Sequence, residues 1–304
     1  MNLTEDELIS YVPEYFFYRL YLPYYSNTTH NIIIDDKIIL NQYFQSLKIS
    51  QPQALLKIIK GKYYDAGFNQ IAPNDLKNIL RASDAENLFL KPVGGRGGYG
   101  IKVFMKNGPA YITDEQNILD DDYLRTLSPD ESFILQAGLK QHKEISDIYG
   151  ESINTFRMAT ENMQGEPRIL FCMMRIGKGG SKVDNFSQGN LIAAVNLETG
   201  KLEGPAFSPD YDKYEKHPDT GYSFSSFMNT QWEKIKQFVL QSTRKIPQFN
   251  YLGWDIALTE NGPVSIEVNR GFDLDMVQIA QGGAKKLFKI DDPMAYWKSK
   301  RKER

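Results

Sequence analysis

The hydrophobic and polar positions of this chain change period several times, and each change marks an element. Behind Asp36, the residues Ile38, Ile39, Tyr43 and Leu47 recur at helical spacing, which predicts a helix over 37–47. The stretch Ser50-Gln51-Pro52-Gln53 ends it, and no clear period follows until about Ser83. Residues 87–91 and 101–104 read as short strands on either side of a glycine-rich segment, and 133–136 as another, ended by a bend at Ala137-Gly138. Residues 154–160 and 169–176 read as neighbouring strands joined at Gln164-Gly165. A polar stretch over 177–190 interrupts the sheet, which 191–197 resumes. Residues 201–226, broken by Pro205, Pro209 and Pro218, read as irregular. An amphipathic helix is expected over 231–245, with Trp232, Ile235, Phe238 and Val239 on one stripe. After a last pair of strands, 271–283 leads into a lysine-rich helix.

That last pair, 254–269, is the most informative stretch. Asn261-Gly262 between two alternating runs signals a β-hairpin. A loop of Glu260, Asn261 and Gly262 sets Trp254 against Val268, Ile256 against Ile266 and Leu258 against Val264, an all-apolar face. The other face then carries Asp255 opposite Glu267, with Ala257, Ser265 and Asn269 beside them. Gly262 takes the left-handed position that such a loop needs. Like charges facing each other destabilise a sheet, and neither strand of the hairpin carries a cation. A hard divalent cation held by oxygen ligands resolves the conflict. An acidic face turned to water fits the same pattern.

The glycine-rich segment 94–100 contains Gly95, Gly97 and Gly100 in the spacing G-x-G-x-x-G, but a dinucleotide site needs a helix straight after it, and 101–104 is strand-like. A P-loop must end in GK followed by Ser or Thr, and Gly100 precedes Ile101. What fits is a glycine flap between antiparallel strands, whose bare backbone can offer N–H groups to phosphate. Protein kinases use such a flap, but their HRD and DFG elements are missing. An ordinary glycine-rich hairpin is the other reading. The strand end at Gln136 can present its backbone to an adenine edge. Arg157 and Arg175 interrupt apolar runs and read either as exposed edge residues or as cations directed at phosphate. The 177–190 stretch carries Lys178, Lys182, Asp184, Asn185 and Gln188, and a loop of that length is usually functional or disordered.

Composition narrows the picture. The chain has 304 residues, 41% hydrophobic and 24% charged, enough to bury a sizeable core. A net charge of −2 argues against nucleic acid as a bulk partner. The basic stretch 298–304 reads as a solvated tail. The one cysteine, Cys172, lies in an apolar run, excludes an internal disulfide and fits a reducing compartment. Three scattered histidines do not make a zinc site, and there is no GxSxG elbow. The acidic first residues lack a signal-peptide pattern and no apolar run approaches a membrane span, so a soluble, cytoplasmic protein without membrane insertion is expected. Tyr11, Tyr15, Phe16, Phe17, Tyr18, Tyr21, Tyr24 and Tyr25 crowd the N-terminal segment, where Pro13 and Pro23 bracket a predicted helix. They read as the packing face of a cap, with a partner or membrane surface as the alternative.

Taken in order, these elements resemble the ATP-grasp superfamily, and within it the sugar-transfer-associated ATP-grasp family. The resemblance rests on DK at 36–37, KP at 91–92 before the flap, QHKEISDIYGESINTFRMAT, KVDNFSQGN, HPDTG at 217–221, GWDIALTENGPVSIEVN and DLDMVQIAQGG, over about residues 31–285. It implies an α+β ATP-grasp fold: two α/β subdomains with antiparallel sheets clamping ATP, preceded by a helical, aromatic-rich N-terminal segment. The corresponding divisions are 1–83 as N-terminal region, 84–136 as the small subdomain with the flap, and 137–304 as the large subdomain with the metal site. It further implies that Lys37 and Lys91 hold the nucleotide phosphates and that the flap, with Gly95, Gly97, Gly98 and Gly100, closes over them. Gln136, Ala137 and Leu139 match the hinge that reads adenine. Asp255, Glu267 and Asn269 match ligands of Mg2+, and Arg157, Arg175 and Asn185 the group that clamps the γ-phosphate and an acyl phosphate. Asn190 departs from a usual glycine, and Gly253 stands where some peptide ligases have an arginine, a role that passes to Arg157 or Arg175. The implied activity is ATP-dependent joining of a small-molecule carboxylate, such as a sugar acid, to an amine, such as an amino acid or amino alcohol, in surface (capsular) polysaccharide biosynthesis, in association with its assembly enzymes. Alternatives are an amino-acid ligase acting on a protein or peptide tail, a phosphotransferase, and a non-catalytic ATP-binding partner of a glycosyltransferase. Oligomeric state is left open.

Overall fold

In a computed structural model, the described residues are 4–26, 28–95, 97–163, 165–288, 292, 294, 295, 298 and 299. Most of the expected basic tail and the turn residue Gln164 lie outside them. Two compact units emerge: one from residues 32–141 with 264–266, the other from 1–31, 142–263 and 267–304.

The first unit is a seven-stranded sheet in the order β3-β2-β1-β7-β4-β5-β6. Its strands are β1 (Ala54–Ile59), β2 (Lys62–Tyr64), β3 (Gln70–Ile71), β4 (Asn87–Pro92), β5 (Lys102–Asn107), β6 (Ala110–Ile112) and β7 (Phe133–Ala137). All recorded pairings are antiparallel. Residues 51–83, without clear period in the sequence, supply three of these strands and a helix, Pro73–Ala82, that buries Leu76 and Leu80. The pattern was hidden because Lys57 sits in the middle of β1, yet it is fully buried with its ammonium on Ala66 O at 2.6 Å and over the Phe68 ring. Leu56, Leu88, Leu90, Phe104 and Leu135 share one apolar core. On the opposite face, Ile38 of the helix Lys37–Ser46 packs with Ala54, Val93 and Ile134.

The second unit is also a seven-stranded sheet, ordered β12-β11-β10-β9-β8-β13-β14. Its strands are β8 (Thr155–Met163), β9 (Glu166–Ile176), β10 (Leu191–Val195), β11 (Leu202–Phe207), β12 (Lys213–Tyr214), β13 (Tyr251–Thr259) and β14 (Gly262–Asn269). β11 and β12 fall in the segment expected to be irregular. The register between β10 and β11 shifts between Ile192 and Ala194, which leaves room for Pro205 at a bulge, where a strand tolerates proline. In the β13–β14 hairpin, Gly262 has φ +110°, while Glu260 and Asn261 are not left-handed. That excludes the two-residue type I′ and II′ turns and fits the expected three-residue form with its glycine bulge.

The helix Trp232–Arg244 covers one face of this sheet with Trp232, Ile235 and Val239. The other face is covered by the N-terminal aromatics: Phe17 and Tyr21 are buried with Tyr251, Phe272 and Phe288. They serve packing, as expected, but the bracketed helix runs on through Pro23, which sits near the start of Leu22–Tyr25 after a π-turn, Phe17–Tyr21. The helix expected after residue 283 lies earlier, at Leu274–Gln281, and the lysines follow in a single 3-10 turn, Lys285–Phe288.

Candidate functional site

Within the second unit the sheet register builds the chemistry. Arg157 on β8 stands opposite Asp255 on β13 and Met173 on β9, and Thr155 stands opposite Arg175. Directly opposed residues project to the same face, so Arg157, Arg175, Thr155 and Asp255 meet on the side that also carries Tyr251. Arg157 Nε lies 2.5 Å from Asp255 Oδ1 and Nη2 3.1 Å from Oδ2, while Nη1 reaches Asp273 Oδ2 at 2.5 Å. Arg175 Nη2 lies 3.2 Å from both Asp184 Oδ1 and Asp255 Oδ2, and its Nε donates to Thr155 Oγ1 at 3.0 Å. Thr155 in turn donates its N–H (2.9 Å) and its hydroxyl to Asp184 Oδ2. The result is a chain of ion pairs, Asp184–Arg175–Asp255–Arg157–Asp273. Its middle is buried, with Asp255 1% exposed, and its Asp273 end is half open, at 48%.

The network corrects the argument for a cation based on the hairpin alone. The cations absent from β13 and β14 arrive from β8 and β9, and they are already bound to Asp255. Burial pushes the Asp255 carboxyl up, but the Arg157 and Arg175 guanidiniums outweigh it and hold it below the ordinary range. The Arg157 guanidinium is disfavoured by burial and held charged by Asp255, Asp273 and, more weakly, Glu267. Asp184 moves the other way: burial raises it despite Arg175 and Thr155.

The two guanidiniums pair with Asp184, Asp255 and Asp273, and Glu267 adds its charge to the field at Arg157. Asn269 lies beside Asp255 and helps hold its carboxyl low through its side-chain amide. Asp255 Oδ1 receives one bond and retains acceptor capacity. Asp255, Glu267 and Asn269 are thus a donor set that fits magnesium, which needs few carboxylates. No cluster of three His, Cys, Asp or Glu side chains with metal-holding geometry occurs among the described residues, so the set depends on the amide.

Gly253, where the resemblance would place an arginine in some peptide ligases, has no room for one. A Cβ there would stand 2.5 Å from Gly271 O, so no side chain fits, and the guanidiniums come from neighbouring strands instead. Arg157 is committed to two carboxylates. Arg175 keeps Nη1 without a partner among the described residues. Lys182 pairs with Glu151 at 2.6 Å. Asn185 heads the 3-10 turn Phe186–Gln188, and its carbonyl accepts from Asn190 Nδ2 at 3.0 Å. That amide also holds Val183 O at 2.9 Å, which gives Asn190 a loop-closing role that glycine lacks. Asp184, Asp273 and Thr155 were missed as site residues. Asp184 stood beside Asn185 in the polar loop, but only the register reveals that it is buried on Arg175.

The residues expected from the resemblance to meet a nucleotide lie in the first unit. Asp36 caps the helix Lys37–Ser46, its Oδ1 accepting from Ile38 N at 2.8 Å and Ile39 N at 2.9 Å. The Lys37 ammonium donates to Gly95 O of the flap at 2.5 Å. The flap joins β4 and β5, antiparallel partners, as expected, and Gly97, Gly98 and Gly100 all have positive φ, between +62° and +76°. Arg96 lies outside the described residues. Lys91 and Lys57 are the register partners of Ile134 from either side, so both start from the face opposite the Leu88–Leu90 core. At the strand end, Ala137 N donates to Gln53 O at 2.9 Å and Gly138 N to Asn87 O at 2.7 Å. Leu139 N has no acceptor among the described residues, and Gln136 beside it is buried.

A family model described as sugar-transfer associated ATP-grasp matches residues 17–290. No curated protein matches the chain. Among solved structures, D-alanine–D-alanine ligase from Bacillus anthracis matches with 14% identity and a TM-score of 0.47, over 90% of this chain and 72% of that one. N5-carboxyaminoimidazole synthase from Aspergillus clavatus, in complex with ADP and 5-aminoimidazole ribonucleotide, matches with 9% identity and a TM-score of 0.46, over 86% of this chain and 53% of that one. The biotin carboxylase domain of Hydrogenobacter thermophilus 2-oxoglutarate carboxylase matches with 12% identity and a TM-score of 0.46, over 85% of this chain and 45% of that one. No helix of the described residues is long and apolar enough to cross a membrane.

Proposed function

The chain belongs to the sugar-transfer associated ATP-grasp family, and we propose that it is an ATP-dependent carboxylate–amine ligase that works through an acyl phosphate. The observation that carries this reading is the buried ion-pair chain, in which Arg175 keeps its Nη1 without a partner among the described residues. Lys37, Lys91 and the flap backbone take the nucleotide phosphates, and Leu139 N takes the adenine edge. Asp255, Glu267 and Asn269 hold magnesium, which when bound offsets phosphate charge.

A carboxylate oxygen of the first substrate attacks the γ-phosphorus and ADP leaves. The nitrogen of the second substrate then attacks the acyl carbon, inorganic phosphate leaves, the nitrogen gives up a proton, and an amide remains. Phosphoryl transfer asks mainly for positioning and charge stabilisation. Arg175 Nη1 supplies a charged donor toward the acyl phosphate. Arg157 holds Asp255 and Asp273 in place and does not touch the substrate. Asn185 adds a neutral donor from the loop.

The family's association with sugar transfer supports a sugar acid as the carboxylate and an amino acid or amino alcohol as the amine, in surface polysaccharide assembly in the cytoplasm. The test is ADP release with magnesium across sugar acids crossed with amines, with hydroxylamine as a trap for the acyl phosphate. Turnover only with both substrates present supports the ligase. ADP release with a carboxylate alone, unaffected by hydroxylamine, points to a phosphotransferase, and no release with any pair to a nucleotide-binding partner.

A further inference from the structure

The loop 177–190 leaves β9 and returns to β10 after placing Asp184 on Thr155 and Arg175. A loop of this length has many alternative paths unless its backbone is tied. Its first residues are tied at successive groups. Gly177 N donates to Asn154 Oδ1 at 3.0 Å, Gly177 O accepts from His217 Nε2 at 2.7 Å, Lys178 N donates to Asn190 Oδ1 at 2.9 Å, and Gly179 N donates to Asp219 Oδ2 at 2.5 Å. His217 and Asp219 belong to the HPDTG segment, 217–221, for which the sequence offered no role.

The bonds around His217 admit one tautomer. Its Nδ1 accepts from Asp219 N at 3.2 Å and Thr220 N at 3.4 Å, so that nitrogen is bare and Nε2 carries the proton given to Gly177 O. The ring is 1% exposed, stacked on Tyr149 with centroids 5.0 Å apart and edged by Phe224 at 6.3 Å. The same Tyr149 donates its hydroxyl to Ser181 O at 3.3 Å, further along the loop. Thr220 Oγ1 anchors the segment to Ile148 O at 2.8 Å. The imidazole therefore joins a fixed segment to the loop's root through one donor and two accepted bonds.

We propose that His217 is a positioning residue that sets the path of loop 177–190, and with it the placement of Asp184 against Arg175 and of Asn185. The part of this that concerns turnover rests on the ligase reading, while the clamp itself does not. If the ring served packing alone, any flat side chain would do. The distinction lies in the atoms: His217→Gln keeps a donor within reach of Gly177 O, His217→Asn keeps only the acceptor for the backbone amides, and His217→Phe keeps the ring and neither.

The experiment is amide hydrogen exchange on the full chain, followed by ADP release with the substrate pair found in the screen. Loss of one such bond loosens its segment by about tenfold. Peptides covering 177–183 are expected to exchange about tenfold faster in the Asn and Phe variants, with the Gln variant close to wild type. ADP release should rank the variants in the same order, through kcat rather than KM for ATP. Wild-type exchange in His217→Phe overturns the clamp, whatever turnover does. Faster exchange with unchanged turnover keeps the clamp and removes its part in the reaction, without touching the ligase reading. Should the histidine variants not fold, Asp219→Ala removes only the exposed contact to Gly179 and must still speed exchange at the loop root, or the proposal falls.

Discussion

Arg157 and Asp255 stand directly opposite each other on β8 and β13, and the guanidinium grips both oxygens of a carboxylate that is 1% exposed. A buried pair of this kind matters most when one partner is lost, because the other is left charged without water. Arg157→Met should lower the unfolding free energy by about 3–5 kcal/mol, read by urea denaturation. A loss below about 1 kcal/mol would mean that Arg175 alone neutralises Asp255.

Glu267 is the candidate ligand whose removal tests the magnesium assignment. It is half-buried, and its charge acts on Arg157. Glu267→Gln keeps the shape of the side chain and should leave the circular dichroism spectrum and melting temperature close to wild type. Magnesium-dependent ADP release should fall by on the order of 100-fold or more. Near-normal release would remove the magnesium assignment.

The hairpin and the flap could be read from the chain because their residues are local. Asn261-Gly262 and the spaced glycines of 94–100 report on their own backbone. The ion-pair chain could not be read that way. Its members are up to 116 positions apart, and only the β8–β13 register makes neighbours of Arg157 and Asp255. Lys57 misled in the opposite sense: a charge inside ALLKII suggests a broken pattern, while a carbonyl and a ring make its burial tolerable. Arg157 and Arg175 kept two readings in the sequence, exposed edge or directed cation. Both turn out buried, and most of their charge is spent on neighbouring carboxylates rather than left open.

The N-terminal segment also reaches the network. Tyr18 OH donates to Phe272 O and accepts from Leu274 N, both at 2.9 Å, on either side of Asp273. Burial pushes the phenol well above its ordinary value, so it stays neutral at working pH. Tyr18→Phe leaves two backbone groups unpaired and should cost about 1–3 kcal/mol, read by denaturation. It should also slow ADP release, because Asp273 is no longer held for Arg157. Wild-type stability with wild-type turnover would reduce the aromatic segment to a cover.

The pH dependence of stability should carry the mark of Asp184. Its carboxyl is raised by burial above the ordinary 3.8, although Arg175 and Thr155 pull it down. The unfolded chain therefore ionises first as pH rises past 3.8, and the wild type loses stability from there until the folded carboxyl has ionised too. Asp184→Asn has no proton to lose. The stability of the wild type relative to this variant should fall over that window and stay level above it. A difference that rises with pH would show that the guanidinium, not burial, governs this carboxyl.

Lys37 connects the helix cap to the flap. Asp36 fixes the helix start, so the lysine leaves it in a set direction and its ammonium meets Gly95 O at 2.5 Å. A lysine that only latched the flap and one that only bound phosphate differ in what their removal does. Lys37→Met should do both: speed hydrogen exchange in peptides covering 94–101, and weaken ATP binding by about 10–100-fold, as expected for a lost charge-assisted contact. Calorimetric titration with ATP reads the second effect directly. Faster exchange with wild-type affinity would leave Lys37 as a latch and pass the phosphate contact to Lys91, whose own substitution should then show the full loss.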